Sequence, residues 1–149
     1  MKKLFLTAVV ALSTLVASAQ FMVVTTYDND QEENADKITA NLGIGYMVSD
    51  ALTVGIAKGS EHAHEGHDHE EDEDTYDLWV RYNIAQVEGA YASLQMPTED
   101  GSDNMSIGLG FAFNVWNGLY VEPNFTMPTS EDDDGDREGT FNLGLSYRF

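Results

Sequence analysis

Apolar and polar residues alternate with a period of two along most of the chain, and this pattern constrains the fold more than any other feature. In residues 140–149 every odd position is large and apolar or aromatic, and every even position is small or polar. Successive side chains of a β-strand point to opposite faces, so this segment predicts a strand with one apolar face. The same alternation predicts eight strands in all, over residues 21–28, 38–46, 52–57, 76–84, 87–96, 105–115, 119–127 and 140–149.

The connections between these predicted strands are alternately long and short. Four long ones cover residues 28–36, 59–75, 97–104 and 128–139, and three short ones cover 48–50, 85–86 and 116–118. The long connections hold 22 of the 26 acidic residues, so an up-and-down meander would collect both the long connections and the negative charge at one end. Even strand number, short turns at one end and long loops at the other are typical of transmembrane barrels. The predicted fold class is all-β, an eight-stranded antiparallel up-and-down transmembrane β-barrel.

Alternation alone leaves the orientation of the apolar face open, because a soluble lipocalin-like barrel keeps that face inward and binds a hydrophobic ligand there. The polar face favours the opposite orientation, since it is rich in Gly, Asn, Ser and Thr and carries few charges for solubility. Aromatic residues also gather near both ends of the predicted strands, as in the two interfacial girdles of membrane proteins. They are Tyr46, Tyr82, Phe113, Trp116, Tyr147 and Phe149 at the short-turn end, and Tyr27, Tyr76, Phe125 and Phe141 at the long-loop end.

The first 19 residues have the composition of a cleavable signal peptide. Lys2 and Lys3 precede an apolar run that is too short to span a bilayer, and Ala17-Ser18-Ala19 supplies the small residues of a cleavage site. We therefore expect two regions, a signal peptide at 1–19 and a barrel at 20–149. The net charge of −19 argues against nucleic-acid binding, and the absence of Cys excludes disulfides and thiolate chemistry.

The last eight residues resemble the C-terminal signal of outer-membrane barrels. The matching positions are Asn142, Gly144, the aromatic Tyr147 and the terminal aromatic Phe149. With the signal peptide and the strand count, the chain resembles the small eight-stranded outer-membrane barrels of the OmpA/OmpX-like, porin family superfamily. The resemblance implies insertion by the barrel assembly machinery into the bacterial outer membrane. We also expect a monomer, with outer-membrane lipid and lipopolysaccharide as its partners. Pro123 departs from a regular barrel strand, and we expect a bulge there.

All four histidines fall within eight residues of one long connection, interleaved with carboxylates. Imidazole and carboxylate suit Zn, Ni and Cu(II), and protonation of the imidazoles would weaken binding in acid. The candidate ligands are His62, His64, His67, His69, Asp68 and Glu65. A strongly solvated loop without a metal role has the same composition.

A second acidic run offers a candidate cation loop. Asp132, Asp134, Asp136 and Glu138 alternate around a glycine, as in calcium loops, but they lack the full twelve-residue spacing. Its alternative interpretation is a hydrophilic loop. The external carboxylates together could bridge Ca²⁺ or Mg²⁺ to lipopolysaccharide phosphates. No cofactor is required by any of these interpretations.

A few charged residues fall on the polar face of the strands, where we expect a lumen network. They are Asp77, Arg81, Glu88, Glu122 and Arg148. An eight-stranded lumen is filled by side chains, so the predicted role is structural or surface-interactive, with a narrow porin-like channel as the alternative. No catalytic residues are predicted and the chain is not expected to be an enzyme, because every His lies in one loop and none stands on a strand near a Ser.

Overall fold

The computed structural model describes residues 20–27, 33, 35–39, 41–59, 75–98, 104–131 and 135–149. These residues form antiparallel strands and one short helix, all of which belong to a single sheet and its connections. In chain order the elements are β1 (Phe21–Thr26), α1 (Asp36–Thr39), β2 (Gly43–Met47), β3 (Leu52–Lys58), β4 (Tyr76–Asn83), β5 (Ala90–Pro97), β6 (Ser106–Phe111), β7 (Phe113–Trp116), β8 (Leu119–Pro128) and β9 (Thr140–Arg148). Within this described part, no helix is long and apolar enough to cross a membrane.

The sheet closes on itself. Strands pair with their neighbours in the chain, and β1 also pairs with β9, which joins the two ends of the meander. On its other side β8 pairs with both β6 and β7. Gly110 faces Asn124 and Phe113 faces Val121, so β7 continues β6 in the same register after a break at Ala112. The architecture is a closed eight-stranded antiparallel barrel with one extra short strand, which confirms the predicted all-β, eight-stranded up-and-down barrel.

The apolar face of the strands points away from the barrel interior. Leu109 has 62% of its surface exposed, and Phe111 and Leu143 are also exposed. The interior instead buries charged and polar side chains, among them Glu122, which is 2% exposed, and Arg81. The soluble lipocalin-like alternative required the opposite orientation and is therefore wrong in this respect.

Three predicted boundaries are corrected by local hydrogen bonding. The predicted strand 38–46 begins only at Gly43, because the backbone amides of Lys37 and Thr39 donate to the carbonyls of Glu33 and Ala35 and form α1. The predicted strand 87–96 begins only at Ala90, after a connection that includes Gly89 at φ +80°. The third correction is the break at Ala112, beside Phe111, because the register of β8 places Pro123 opposite Phe111 and a proline has no amide to donate across the ladder.

The bulge expected at Pro123 is absent from the β8–β9 ladder. Pro123 faces Leu143, and the register is regular on both sides of this pair. On the other side of β8 the register places Pro123 opposite Phe111, next to the break between β6 and β7. Proline cannot donate to a ladder, so an interrupted ladder is where it is tolerated. The register shift within β7–β8 lies between Asn114 and Trp116 instead.

Glycines on the inner face make room for a large side chain. The Trp79 ring lies against Gly45 and Gly55, and a Cβ on either glycine would clash with the ring. Trp79 itself is 8% exposed and fills the lumen between β2, β3 and β4. Eight-stranded barrels have an interior just wide enough to be filled by side chains, so glycine on one strand compensates for tryptophan on the next.

This packing predicts that Gly45→Ala lowers the free energy of unfolding by about 1–3 kcal/mol through overpacking against the Trp79 ring. Equilibrium unfolding of the detergent-refolded protein in urea measures the change. In a Trp79→Leu background the same substitution should cost less, because the ring that it clashes with has been removed. Equal losses in the two backgrounds would show that the contact between Gly45 and Trp79 does not limit this position.

Candidate functional site

The barrel interior is organised around one carboxylate, that of Glu122 on β8. Arg81 on β4 donates from Nη1 to Oε1 at 2.9 Å and from Nη2 to Oε2 at 2.6 Å, so the pair is bidentate. Ser146 on β9 donates its hydroxyl to Oε1 at 2.6 Å. Both charged side chains are buried, and such a geometry provides the hydrogen bonds that a desolvated ion pair needs.

A second guanidinium approaches the same carboxylate from the turn end of the barrel. Nη2 of Arg148 lies 3.5 Å from Oε1 of Glu122, which is longer than a charge-assisted hydrogen bond. The Arg148 guanidinium lies 4.0 Å from the ring centroid of Tyr120. Two cationic side chains therefore share one anionic partner in this half of the lumen.

Aromatic rings enclose the Arg81–Glu122 pair. The guanidinium carbon of Arg81 lies 4.0 Å from the ring centroid of Tyr91 and 5.8 Å from that of Trp79. Tyr91 is buried and lies against Gly110, which has no side chain to obstruct it. The Nε1 atom of Trp79 is buried and makes no hydrogen bond. The two rings and the ion pair therefore lie side by side in the lumen at this level.

Towards the loop end, the part of the interior that the structure describes carries one charged side chain, that of Asp77. Its buried carboxylate accepts a 2.6 Å hydrogen bond from Nε2 of Gln95. On the opposite wall, Asn142 donates to Oγ1 of Thr126 at 3.0 Å. Hydrogen bonds of this kind satisfy the inner face of the strands without apolar packing.

Four of the five predicted lumen residues lie in the interior, and Glu88 does not. Arg81, Glu122 and Arg148 come together, whereas Asp77 lies apart with Gln95. Glu88 is exposed in the connection between β4 and β5, so its prediction as a lumen residue is wrong. The physical reason is local: hydrogen bonds from Val87 to Ile84 and from Ala90 to Val87 fold residues 84–90 into turns, and alternation has no meaning there.

The uncharged side chains that complete the network were not among the residues predicted from the sequence. They are Trp79, Tyr91, Gln95, Tyr120 and Ser146. A signal was present, because Trp79 shares the strand parity of Asp77 and Arg81, and Ser146 shares that of Arg148. Large aromatic residues on the polar parity of a strand indicate a filled lumen.

A cavity of about 460 Å³ opens at the turn end of the lumen. Residues 83–90 form one wall, with the exception of Gln86, and Ala112 and Asn114 contribute to another. Tyr120 and Arg148 line it from β8 and β9. The cavity thus reaches the guanidinium of Arg148, which approaches the Glu122 carboxylate no closer than 3.5 Å.

The predicted assembly signal lies along the strand that closes the barrel. Asn142 and Gly144 face inward, and Gly144 is buried beside Glu122. Tyr147 is exposed on the outer face and packs edge to face with Phe149, at a centroid distance of 4.9 Å. The Phe149 amide donates to the carbonyl of Phe21 and completes the seam with β1.

Most of the predicted metal ligands lie outside the described residues. This applies to His62, His64, Glu65, His67, Asp68 and His69, and to Asp132 and Asp134. Asp136 and Glu138 are described and exposed, and nearby Arg137 lies 3.4 Å from Glu131 in a surface ion pair. Among the described residues no group of His, Asp and Glu side chains is placed to hold a metal ion. The metal predictions therefore stay predictions.

Comparisons with protein-family models, with curated proteins and with solved structures find no significant match to this chain. The class is therefore defined by geometry: a closed eight-stranded antiparallel barrel with an apolar exterior and a side-chain-filled, ion-paired interior.

Proposed function

We propose that residues 20–149 form an integral barrel of the bacterial outer membrane, exported by the signal peptide at 1–19 and inserted by the barrel assembly machinery. Its role in this proposal is structural and surface-interactive, with the acidic long connections facing the exterior of the cell. The proposal rests on the apolar outer face and polar inner face of the barrel wall. It also rests on the signal-peptide composition of residues 1–19 and on the C-terminal motif.

The observation that carries the proposal is the inverted burial of this barrel. Large apolar side chains are exposed on every strand except β1, where Val23 is half-buried and faces the same side as the exposed Ile44 of β2. Monomeric soluble proteins rarely expose contiguous apolar surface larger than a few hundred Å². An apolar band around the wall with a polar interior is the arrangement required in a bilayer.

Aromatic side chains at both rims support the same assignment. Tyr46, Tyr82 and Trp116 are exposed at the turn end, and Tyr27, Tyr76 and Phe141 at the loop end. Amphipathic rings are enriched at the level of the lipid headgroups. At the turn end, the Tyr46 hydroxyl donates to the side chain of Gln20 at 2.6 Å, which keeps its polar group satisfied at the rim.

The two tryptophans of the chain make a direct test of the proposal, because one faces out and the other faces in. Trp116 is 72% exposed on the outer face, and Trp79 lies in the lumen. In vesicles made with brominated acyl chains, the Trp79→Phe protein should lose fluorescence by contact quenching of Trp116. The Trp116→Phe protein should keep its emission, because the wall shields Trp79 from lipid.

Heat-modifiable mobility on a detergent gel, with the folded form running differently from the boiled one, establishes that each variant is folded before quenching is measured. Folded protein that stays in the aqueous phase, or equal quenching of the two tryptophans, would contradict the membrane proposal.

The interior favours a closed barrel over the narrow channel. The bidentate Arg81–Glu122 pair and the Trp79 ring cross the lumen at adjacent levels. We therefore assign no solute flux to this state of the barrel. Binding of Zn, Ni, Cu or Ca by the acidic connections and a monomeric state belong to the proposal as unchanged predictions.

A further inference from the structure

The charges of the lumen do not balance locally at its turn end. The two oxygens of Glu122 accept hydrogen bonds from Arg81 and Ser146 at 2.6–2.9 Å. Arg148 is left with a 3.5 Å approach to one of these oxygens, beyond the usual range for a charge-assisted hydrogen bond. Among the described residues, Arg148 has no closer anionic partner.

The Arg148 guanidinium is also held in place at an accessible position. Its plane lies near Tyr120, with 4.0 Å between the guanidinium carbon and the ring centroid. The side chain is 24% exposed and lines the cavity of about 460 Å³. This volume falls within the range of small-molecule sites, and a fixed guanidinium loses little entropy when it binds an oxyanion.

The other polar groups of the cavity decide which ligand it can take. Asn114 and Asn83 contribute amides, although Asn83 already donates to the Asp50 carbonyl at 2.8 Å. Glu88 is the one carboxylate among the lining residues, and it is exposed at the rim, where water screens its charge. Of the two charged side chains that line the cavity, Arg148 is therefore the one that is partly buried, and its positive charge favours an anionic ligand.

We propose that this cavity is a binding site for a small oxyanion, a carboxylate or a phosphate group, with Arg148 as its principal ligand. Carboxylate and phosphate match the planar fork of a guanidinium, which binds either through two parallel hydrogen bonds. The site lies within the lumen mouth and is independent of the membrane proposal, because it requires only the folded barrel.

The test is a titration of the refolded barrel in detergent micelles, followed by amide NMR. Inorganic phosphate and acetate are the two probes, and chloride at matched ionic strength is the reference. Phosphate, acetate or both should produce saturable shifts at Gly89, Ala112 and Asn114, and chloride should not. The two arms distinguish a phosphate ligand from a carboxylate ligand, and saturation by either supports the site.

Three variants locate the binding. Arg148→Gln should weaken affinity by about tenfold or more, since it removes a charge-assisted contact. Asn114→Asp places a carboxylate in the cavity wall and leaves the contacts among Arg81, Glu122 and Arg148 intact. This variant should also weaken binding, because the new carboxylate repels an anion. It therefore provides the test if Arg148→Gln does not fold. Glu88→Gln is the matched control at the rim and should leave binding unchanged or tighter, because it removes a like charge.

The site is disproved if neither probe gives saturable shifts beyond those of chloride. It is equally disproved if Arg148→Gln, or Asn114→Asp where the former is unfolded, leaves the affinity unchanged. Weaker binding by Glu88→Gln would show that the ligand needs a carboxylate partner, and so would overturn its assignment as an anion.

Discussion

Replacing Glu122 by Gln is expected to lower the free energy of unfolding by about 3–5 kcal/mol, the cost of leaving a buried charge without its partner. The substitution keeps the size of the side chain and removes the charge that Arg81 and Arg148 share. Arg81 is buried, so water cannot replace the lost carboxylate. Urea unfolding in detergent, followed by the gel mobility of the folded form, measures the loss.

The chain provides a matched control in a second Arg–Glu pair. Glu131 and Arg137 are 3.4 Å apart on the surface, with both side chains largely exposed. Glu131→Gln should therefore change stability by only about 0–1 kcal/mol. The double variant Arg81→Met/Glu122→Leu should recover part of the loss, because it removes both members of the buried pair. Similar losses for Glu122→Gln and Glu131→Gln would contradict the central role of the buried pair.

Replacing Leu109 by Arg is expected to destabilise the barrel in lipid by about 2–4 kcal/mol, the cost of a charge on the lipid-facing wall near the bilayer midplane. Leu109 lies within β6, between Ala92 of β5 and Phe125 of β8, and is largely exposed on the outer face. In a soluble barrel the same change would alter the free energy of unfolding very little, because the exposed Leu109 side chain would make few packing contacts there. Unfolding of the protein from phospholipid vesicles measures the difference.

Val48→Arg is the control for this prediction. Val48 is also exposed, but it lies in the turn between β2 and β3, beyond the apolar band. A charge near the interface costs only about 0–1 kcal/mol. Equal effects of Leu109→Arg and Val48→Arg, or a neutral Leu109→Arg, would contradict a bilayer around the wall.

The orientation of the wall could be predicted from the sequence because it depends on composition. Leu109 and Phe141 lie on one parity of their strands, and Asn142 and Ser146 lie on the other, with too few charges among the polar residues to face water. The identity of the internal partners could not be predicted in the same way. Arg81 on β4 meets Glu122 on β8 across the lumen, and only closure of the sheet brings them within 3 Å.

Local backbone hydrogen bonding explains the remaining differences. The alternation runs through Ile38 and Glu88, yet Ile38 lies in α1 and Glu88 lies in a turn. In both segments backbone amides donate to carbonyls three or four residues earlier in the chain and not to a neighbouring strand. The alternation of apolar and polar residues predicts which face of a strand each side chain occupies. It does not predict the residue at which the strand stops pairing with its neighbour.

The sequence by itself determined the strand number, the antiparallel meander, the apolar exterior and the separation of long from short connections. The strand number, the meander and the connections follow from side-chain alternation and turn composition, and the apolar exterior follows from the shortage of charges on the polar face; all of these are local properties of the chain. Only the tertiary structure decided which charges pair, how Trp79 fits against Gly45 and Gly55, and where a cavity remains beside Arg148. Those contacts depend on the stagger of strands around a closed barrel, which places residues distant in sequence on opposite walls of one narrow lumen.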